Sequence, residues 1–210
     1  MAISYPLALP TASGIAQINL RAVNSVGISS SPFTFKQQVI AHSGQRWEAE
    51  VTLPALSRAD AEDWVAFLVA LKGSKGTFLL GDPNGTTARG TASATPGTPV
   101  VNGADQTGDT LTIDGCTASA TGYLKAGDYI QLNGGSAATL HKVLADINTN
   151  ASGQATLDLW PNIRNAPADG LTVSIGTAQG LFRLSSNEIN WSIDVAARYG
   201  ISFAAVEAIT

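Results

Sequence analysis

The chain has 210 residues, with 12 Lys+Arg against 16 Asp+Glu and a formal net charge of -4. Only 13% of its residues are charged, against about 25% in an ordinary soluble domain. A pI near 5.0 with scattered basic residues excludes the clustered cationic footprint of a dedicated nucleic-acid binder. No window holds the ~18 unbroken apolar residues of a membrane-spanning helix.

The chain is long enough for one large domain or two small ones. Its start, MAISYPLALP, has no basic n-region and two prolines, unlike a secretory signal. Ala16, Ile18, Leu20 and Ala22 alternate with polar residues, as a half-buried strand does. Phe33, Phe35, Val39 and Ala41 read as a second such strand, and Trp47, Ala49, Val51 and Leu53 as a third. The HSGQ segment around Gly44 predicts a turn between these last two, hence a hairpin over 33–53. One helix is predicted at 58–72, with Ser57 as its N-cap. Asp60, Glu62 and Asp63 lie near its start, and Lys72-Gly73 end it. Ala61, Trp64, Leu68 and Leu71 form its apolar stripe, beside Phe67. GTFLLGDP at 76–83 reads as a short strand and turn.

Residues 84–110, rich in Gly, Thr, Ala and Pro, suit a connector with short edge strands. Short strands separated by glycine turns follow. They hold Leu111 and Ile113, then Ile130 and Leu132, then LHKVLADI at 140–147. ATLDLWP at 155–161 is expected to stop at Pro161, and LTVSI at 171–175 to form a further strand. GLFRL at 180–184 echoes GTFLL at 76–80, and Ile189, Trp191, Ile193 and Val195 alternate as a half-buried strand. Ile201 and Phe203 continue after Tyr199-Gly200. The expected fold is mainly β with one helix (α+β). A sandwich or split-barrel domain, 1–84 with 176–210, receives a small antiparallel barrel or sandwich, 85–175.

No catalytic constellation emerges. His42 ends a strand and His141 lies within an apolar one, and neither has a triad around it. Gly134-Gly135-Ser136 lacks the second glycine of a nucleophile elbow, and Gly73-Ser74-Lys75-Gly76 follows a helix instead of opening one. Asp60, Glu62 and Asp63 suit a helix start, and Glu48 and Glu50 a solvated strand face. Asp105, Asp109 and Asp114 lie among glycines but match no calcium loop. Cys116 reads as a small buried hydrophobe, and two histidines with one cysteine do not make an ordinary zinc site. No catalytic, cofactor or metal residue is therefore assigned. Three of the four tryptophans fall on apolar strand or helix phases. Trp160, before Pro161, is the one assigned to exposure and to a partner or glycan contact. A surface this poor in charge points to burial against other protein.

Three stretches carry a family resemblance. The first is Trp47-x-Ala49-x-Val51-x-Leu53-Pro54, then Leu56-Ser57 opening a helix with Trp64, Phe67 and Leu68, then Gly73-x-x-Gly76-x-Phe78-x-Leu80-Gly81-Asp82. It resembles the N-terminal domain of distal tail proteins of long-tailed bacteriophages. Leu124 to Leu132 and Leu140 to Leu144 are similar to phage minor tail proteins, and Ile201-Ser202-Phe203-x-x-Val206-Glu207 to the family's final strand. The resemblance spans about residues 15 to 210. It implies a hairpin packed on one helix, and a virion ring, usually hexameric, at the distal end of the tail tube. Its partners would be the tail tube protein, the hub and tip proteins and the tape measure protein. Genomic DNA would pass through the lumen unbound, and no enzymatic activity or cofactor is implied.

Other readings are a tail tube or head-tail joining subunit, a carbohydrate-binding module and a tail-associated hydrolase. On the ring reading, the apolar segment Ile3, Tyr5, Leu7, Leu9 lies along a neighbour. Deleting residues 1–10 is then expected to weaken assembly and leave the subunit folded.

Overall fold

The computed structural model of the chain describes residues 3–11 and 14–209. It is mainly β, with two antiparallel sheets and, among the described residues, a single α-helix. The first sheet has the order β1-β2-β11-β9-β3, with β10 paired to β11. Its strands are β1 (Gln17–Ser30), β2 (Gln37–Thr52), β3 (Phe78–Leu80), β9 (Gly180–Leu184), β10 (Trp191–Ile193) and β11 (Tyr199–Glu207). The second runs β4-β5-β8-β7-β6. These are β4 (Gly97–Val101), β5 (Gly108–Cys116), β6 (Tyr129–Leu132), β7 (Thr139–Val143) and β8 (Ala155–Ile163).

α1 (Arg58–Ala70) covers one face of the first sheet through Ala61, Trp64, Val65, Phe67 and Leu68. Its start is fixed as the sequence predicts: the Ser57 hydroxyl accepts the Asp60 N–H and donates to the Asp60 carboxylate at 2.7 Å. Its end turns through left-handed Lys72 and Gly73 (φ +70). A Cβ at Gly73 would lie 2.7 Å from the Asn187 side-chain Oδ1 and 2.9 Å from its Cα, so glycine is also required by space. Beneath the helix, Phe78 pairs with Phe182, so the two Gly-x-Phe-x-Leu echoes are antiparallel neighbours. Phe67 and Phe203 meet Phe78 edge-on at 5.5 and 6.1 Å.

The second sheet curls into a half-barrel around Leu111, Ile113, Tyr123, Leu124, Ile130 and Leu157. Residues 171–175 do not make a full strand. They bridge β4 through Val100 and Thr172, and β6 through Gln131 and Ser174, and so tie the sheet's two edges together. β8 does not stop at Pro161 but runs to Ile163. The β5–β8 register is irregular there, between the pairs Gly108↔Ile163 and Thr110↔Asp158, and a bulge is where a strand tolerates a residue lacking N–H. Tyr129 and Leu140 of this sheet are buried in the first core.

Two further expectations are corrected. The hairpin turn is not at HSGQ: β2 passes through Gly44, and the strands turn at residues 31–36, where the Ser31 N–H donates to the Lys36 carbonyl at 2.9 Å. β1 and β2 are thus one long pair, and Phe33 and Phe35 lie at its tip, 92% and 81% exposed, instead of on a buried strand face. The Ile189–Val195 alternation gives only the three-residue β10. Trp191, Ile193 and Val195 are all exposed, and none of them packs into either buried core. No helix among the described residues is long and apolar enough to cross a membrane.

Candidate functional site

Beyond Trp47, the β1–β2 pair leaves the body of the protein as an arm. Every residue of β1 from Asn24 and of β2 up to Gly44 is exposed. The register pairs Val26 with Ala41 and Ile28 with Val39. Cross-strand partners share a face, and so do residues two apart, so these four side chains form one apolar face leading to Phe33 and Phe35. Val26, Ile28, Val39 and Ile40 are each about half exposed or more. Lys36 is the one fully charged side chain between Arg21 and Arg46. An apolar surface of this kind, on a projection whose one full charge is Lys36, marks a protein-contact element.

The root of the arm is clamped to the half-barrel. The Trp160 indole N–H donates to the Asn24 side chain at 2.7 Å, and the Asn162 N–H to the Gln45 side chain at 2.7 Å. Arg164 forks onto Glu207 at 2.8 and 3.0 Å and donates to the Gln45 carbonyl at 2.5 Å. Glu207, 4% exposed at its side chain, also accepts the Trp47 N–H. The Trp47 indole donates to Leu140, and its ring meets Trp160 edge-on at 4.5 Å. β8 and its continuation therefore grip both strands of the arm where they leave the sheet.

The residues assigned from sequence fall mostly elsewhere. Tyr5 donates to the Ala70 carbonyl at 2.7 Å, Leu7 bridges β3 at Phe78, and Leu9 packs on the first core. Of that segment only Ile3 presents an exposed large side chain, at 47%. Trp160 is half-buried in the clamp, and Trp191, 40% exposed, is the more accessible tryptophan. This corrects the exposure assigned to Trp160. Its partner or glycan role gains no open aromatic platform, because Trp47 covers one side.

His42 is exposed within β2. His141 is buried: its Nδ1–H donates to the Pro161 carbonyl at 2.7 Å, and Nε2 accepts from the Thr139 hydroxyl at 3.0 Å. Burial holds its pKa below the usual value and keeps it neutral, with the Pro161 bond and Glu207 opposing. Burial likewise pushes the Cys116 thiol up, leaving it a poor nucleophile. No group of three or more His, Cys, Asp or Glu able to hold a metal ion exists among the described residues.

Sequence reasoning missed the arm tip, Arg164 and Glu207. The signal for the arm was present, as the almost uncharged run between Arg21 and Arg46 with Ser31-Pro32 at its centre. Nothing local marks Arg164, whose partners lie more than 40 residues away in sequence.

No known protein family matches the chain, and no curated protein is significantly similar to it.

Proposed function

We propose that the chain is a structural subunit of a bacteriophage tail tip. It assembles into a closed ring that joins the tail tube to the hub and tip proteins. The observation that carries this reading is the arm: an exposed apolar hairpin with two phenylalanines at its end, projecting from a subunit with little surface charge. A projection on one part of a subunit that fits a different part of the next makes a head-to-tail contact, and such contacts close into rings when the rotation allows. The resemblance of the Trp47–Leu53, α1 and Phe78–Asp82 stretches to distal tail proteins supplies the tail-tip assignment. The ring reading makes the subunit a non-enzymatic part of the virion, with the tube, hub and tape measure proteins as partners.

A tail tube subunit is the second reading, favoured by the same arm, because a long hairpin can also connect stacked rings. Light scattering and negative-stain images of the purified protein separate the two. A single ring of fixed mass is expected for the tip, and filaments that lengthen with concentration for the tube. Phe33→Ser with Phe35→Ser is expected to abolish either assembly while leaving the melting temperature of the subunit unchanged.

A further inference from the structure

We propose that the arm of one copy docks in a groove of a second copy. The groove lies between residues 185–190 and the β2–β11 pair, beside the apolar ridge on β10. The inference rests on the ring reading and names the surface that receives the arm. The groove encloses about 410 Å³ and is mostly polar at its surface, with Glu50, Glu188 and Asn190 along it; half-buried Ile189 and Phe203 lie over a floor of buried Val51, Leu68 and Leu184. Arg21 already answers Glu50 at 3.1 Å. Glu188 makes no ion pair among the described residues, and neither does Lys36.

Beyond Asn190, which lines the groove, Trp191 and Ile193 are 40% and 57% exposed and Val195 fully so, on alternate positions of one edge. The surface thus joins a polar groove, whose Glu188 has no ion pair among the described residues, to an apolar ridge, and the arm joins an apolar face to Lys36, which has none either. Apolar aromatic anchors supply affinity and the opposed charges fix register.

Reach excludes the chain's own tip, and the ring reading, in which every copy carries both arm and groove, makes the occupant a second copy. Lys36 lies 14 residues along the chain from Glu50, roughly 45 Å at strand rise, so one chain cannot place its own tip in its own groove while β2 remains a strand. A smaller and more apolar cavity, about 260 Å³ around Leu9, Ile15 and Trp64, has only Asp82 as a charge and lacks the exposed apolar ridge that β10 supplies.

The test uses the full-length protein and engineered cysteines, Cys116 being buried. Thr34→Cys marks the arm tip and Asn190→Cys the groove, both at exposed positions. Mixed in equal amounts under mild oxidation, the two single variants are expected to give a mixed disulfide dimer. One chain carrying both should give a ladder that ends at the ring. Lys36→Glu or Glu188→Lys alone is expected to weaken assembly about tenfold, and the two together to restore it. Assembly that proceeds with only Thr34→Cys self-crosslinks, or that ignores both charge reversals, overturns the groove and leaves the ring reading standing. A chain that stays monomeric, forms no crosslink and instead floats with phosphatidylcholine vesicles through Phe33 and Phe35 overturns both.

Discussion

Glu207 shows how much one side chain fixes here. Its carboxylate is buried, forked by Arg164, and bonded to the Trp47 N–H, so it joins β11, β2 and the chain after β8. Removing Arg164 leaves that charge in the interior without its partner. Arg164→Ala is expected to cost about 3 kcal/mol in urea-unfolding free energy. Replacing Arg164 and Glu207 together with Leu and Met should cost less than Arg164→Ala alone, because no orphaned charge remains.

His141 supplies a pH dependence at the same seam. Its pKa is lowered in the fold from an ordinary value of 6.5, so the unfolded chain binds the proton more readily. Its contribution to stability is full above 6.5 and is lost as pH falls through the window below it. His141→Gln, which does not titrate, is expected to flatten the stability profile as pH falls just below 6.5, measured by urea midpoints. An unchanged slope would place the acid sensitivity elsewhere. Asp146, whose carboxylate is held down by the Ala126 N–H and Lys125, loses its contribution only near and below 3.8, outside that window.

At the scale of elements, α1 and the arm respond differently to substitution. Ser57→Ala removes the N-cap bond and is expected to lower subunit stability by about 1 kcal/mol in thermal or urea unfolding. The phenylalanines at the arm tip touch solvent, so their replacement should shift stability by no more than about 0.5 kcal/mol. The N-terminal segment belongs with α1 in this respect. Tyr5, Leu7 and Leu9 are held by Ala70, Phe78 and the first core. Deleting residues 1–10 is therefore expected to lower the melting temperature of the subunit itself, whatever it does to assembly. A deletion variant that melts with the full chain would contradict this.

Elements with a strong period and a local stop were legible in the sequence. α1, its cap, the Trp47–Leu53 strand and the Phe78 and Phe182 strands follow from spacing and end signals alone. The hairpin turn was misplaced because the turn chemistry of Ser43 and Gly44 makes a bulge instead: the register shifts from Asn24↔Gln45 to Val26↔Ala41, and β2 continues past it. Trp191, Ile193 and Val195 alternate like a core strand but pack into neither buried core, and alternation cannot report what covers a face. The β8 clamp was invisible because Trp160, Asn162 and Arg164 find partners at Asn24, Gln45 and Glu207, brought together only by tertiary folding.

On the scale of the whole molecule, the parts form a body and a projection. One sheet, its helix and the half-barrel share buried residues and a seam of charged and aromatic contacts, and the arm leaves from that seam. A grip on both strands of the arm sets its direction, and on the proposed ring reading a ring of fixed size requires that direction of every subunit. If the proposed ring forms, loosening the grip should broaden its population before it unfolds the chain. Arg164→Ala protein, imaged below its unfolding midpoint, is expected to give rings of mixed diameter or open arcs. Uniform rings would show that the clamp does not set the angle.

The most direct test of the central claim is the solution mass of the wild-type chain beside that of Phe33→Ser with Phe35→Ser, by light scattering after gel filtration, with negative-stain images of each peak. A closed ring for the wild type and a folded monomer for the variant is the predicted result. Equal masses for the two proteins would contradict assembly through the arm.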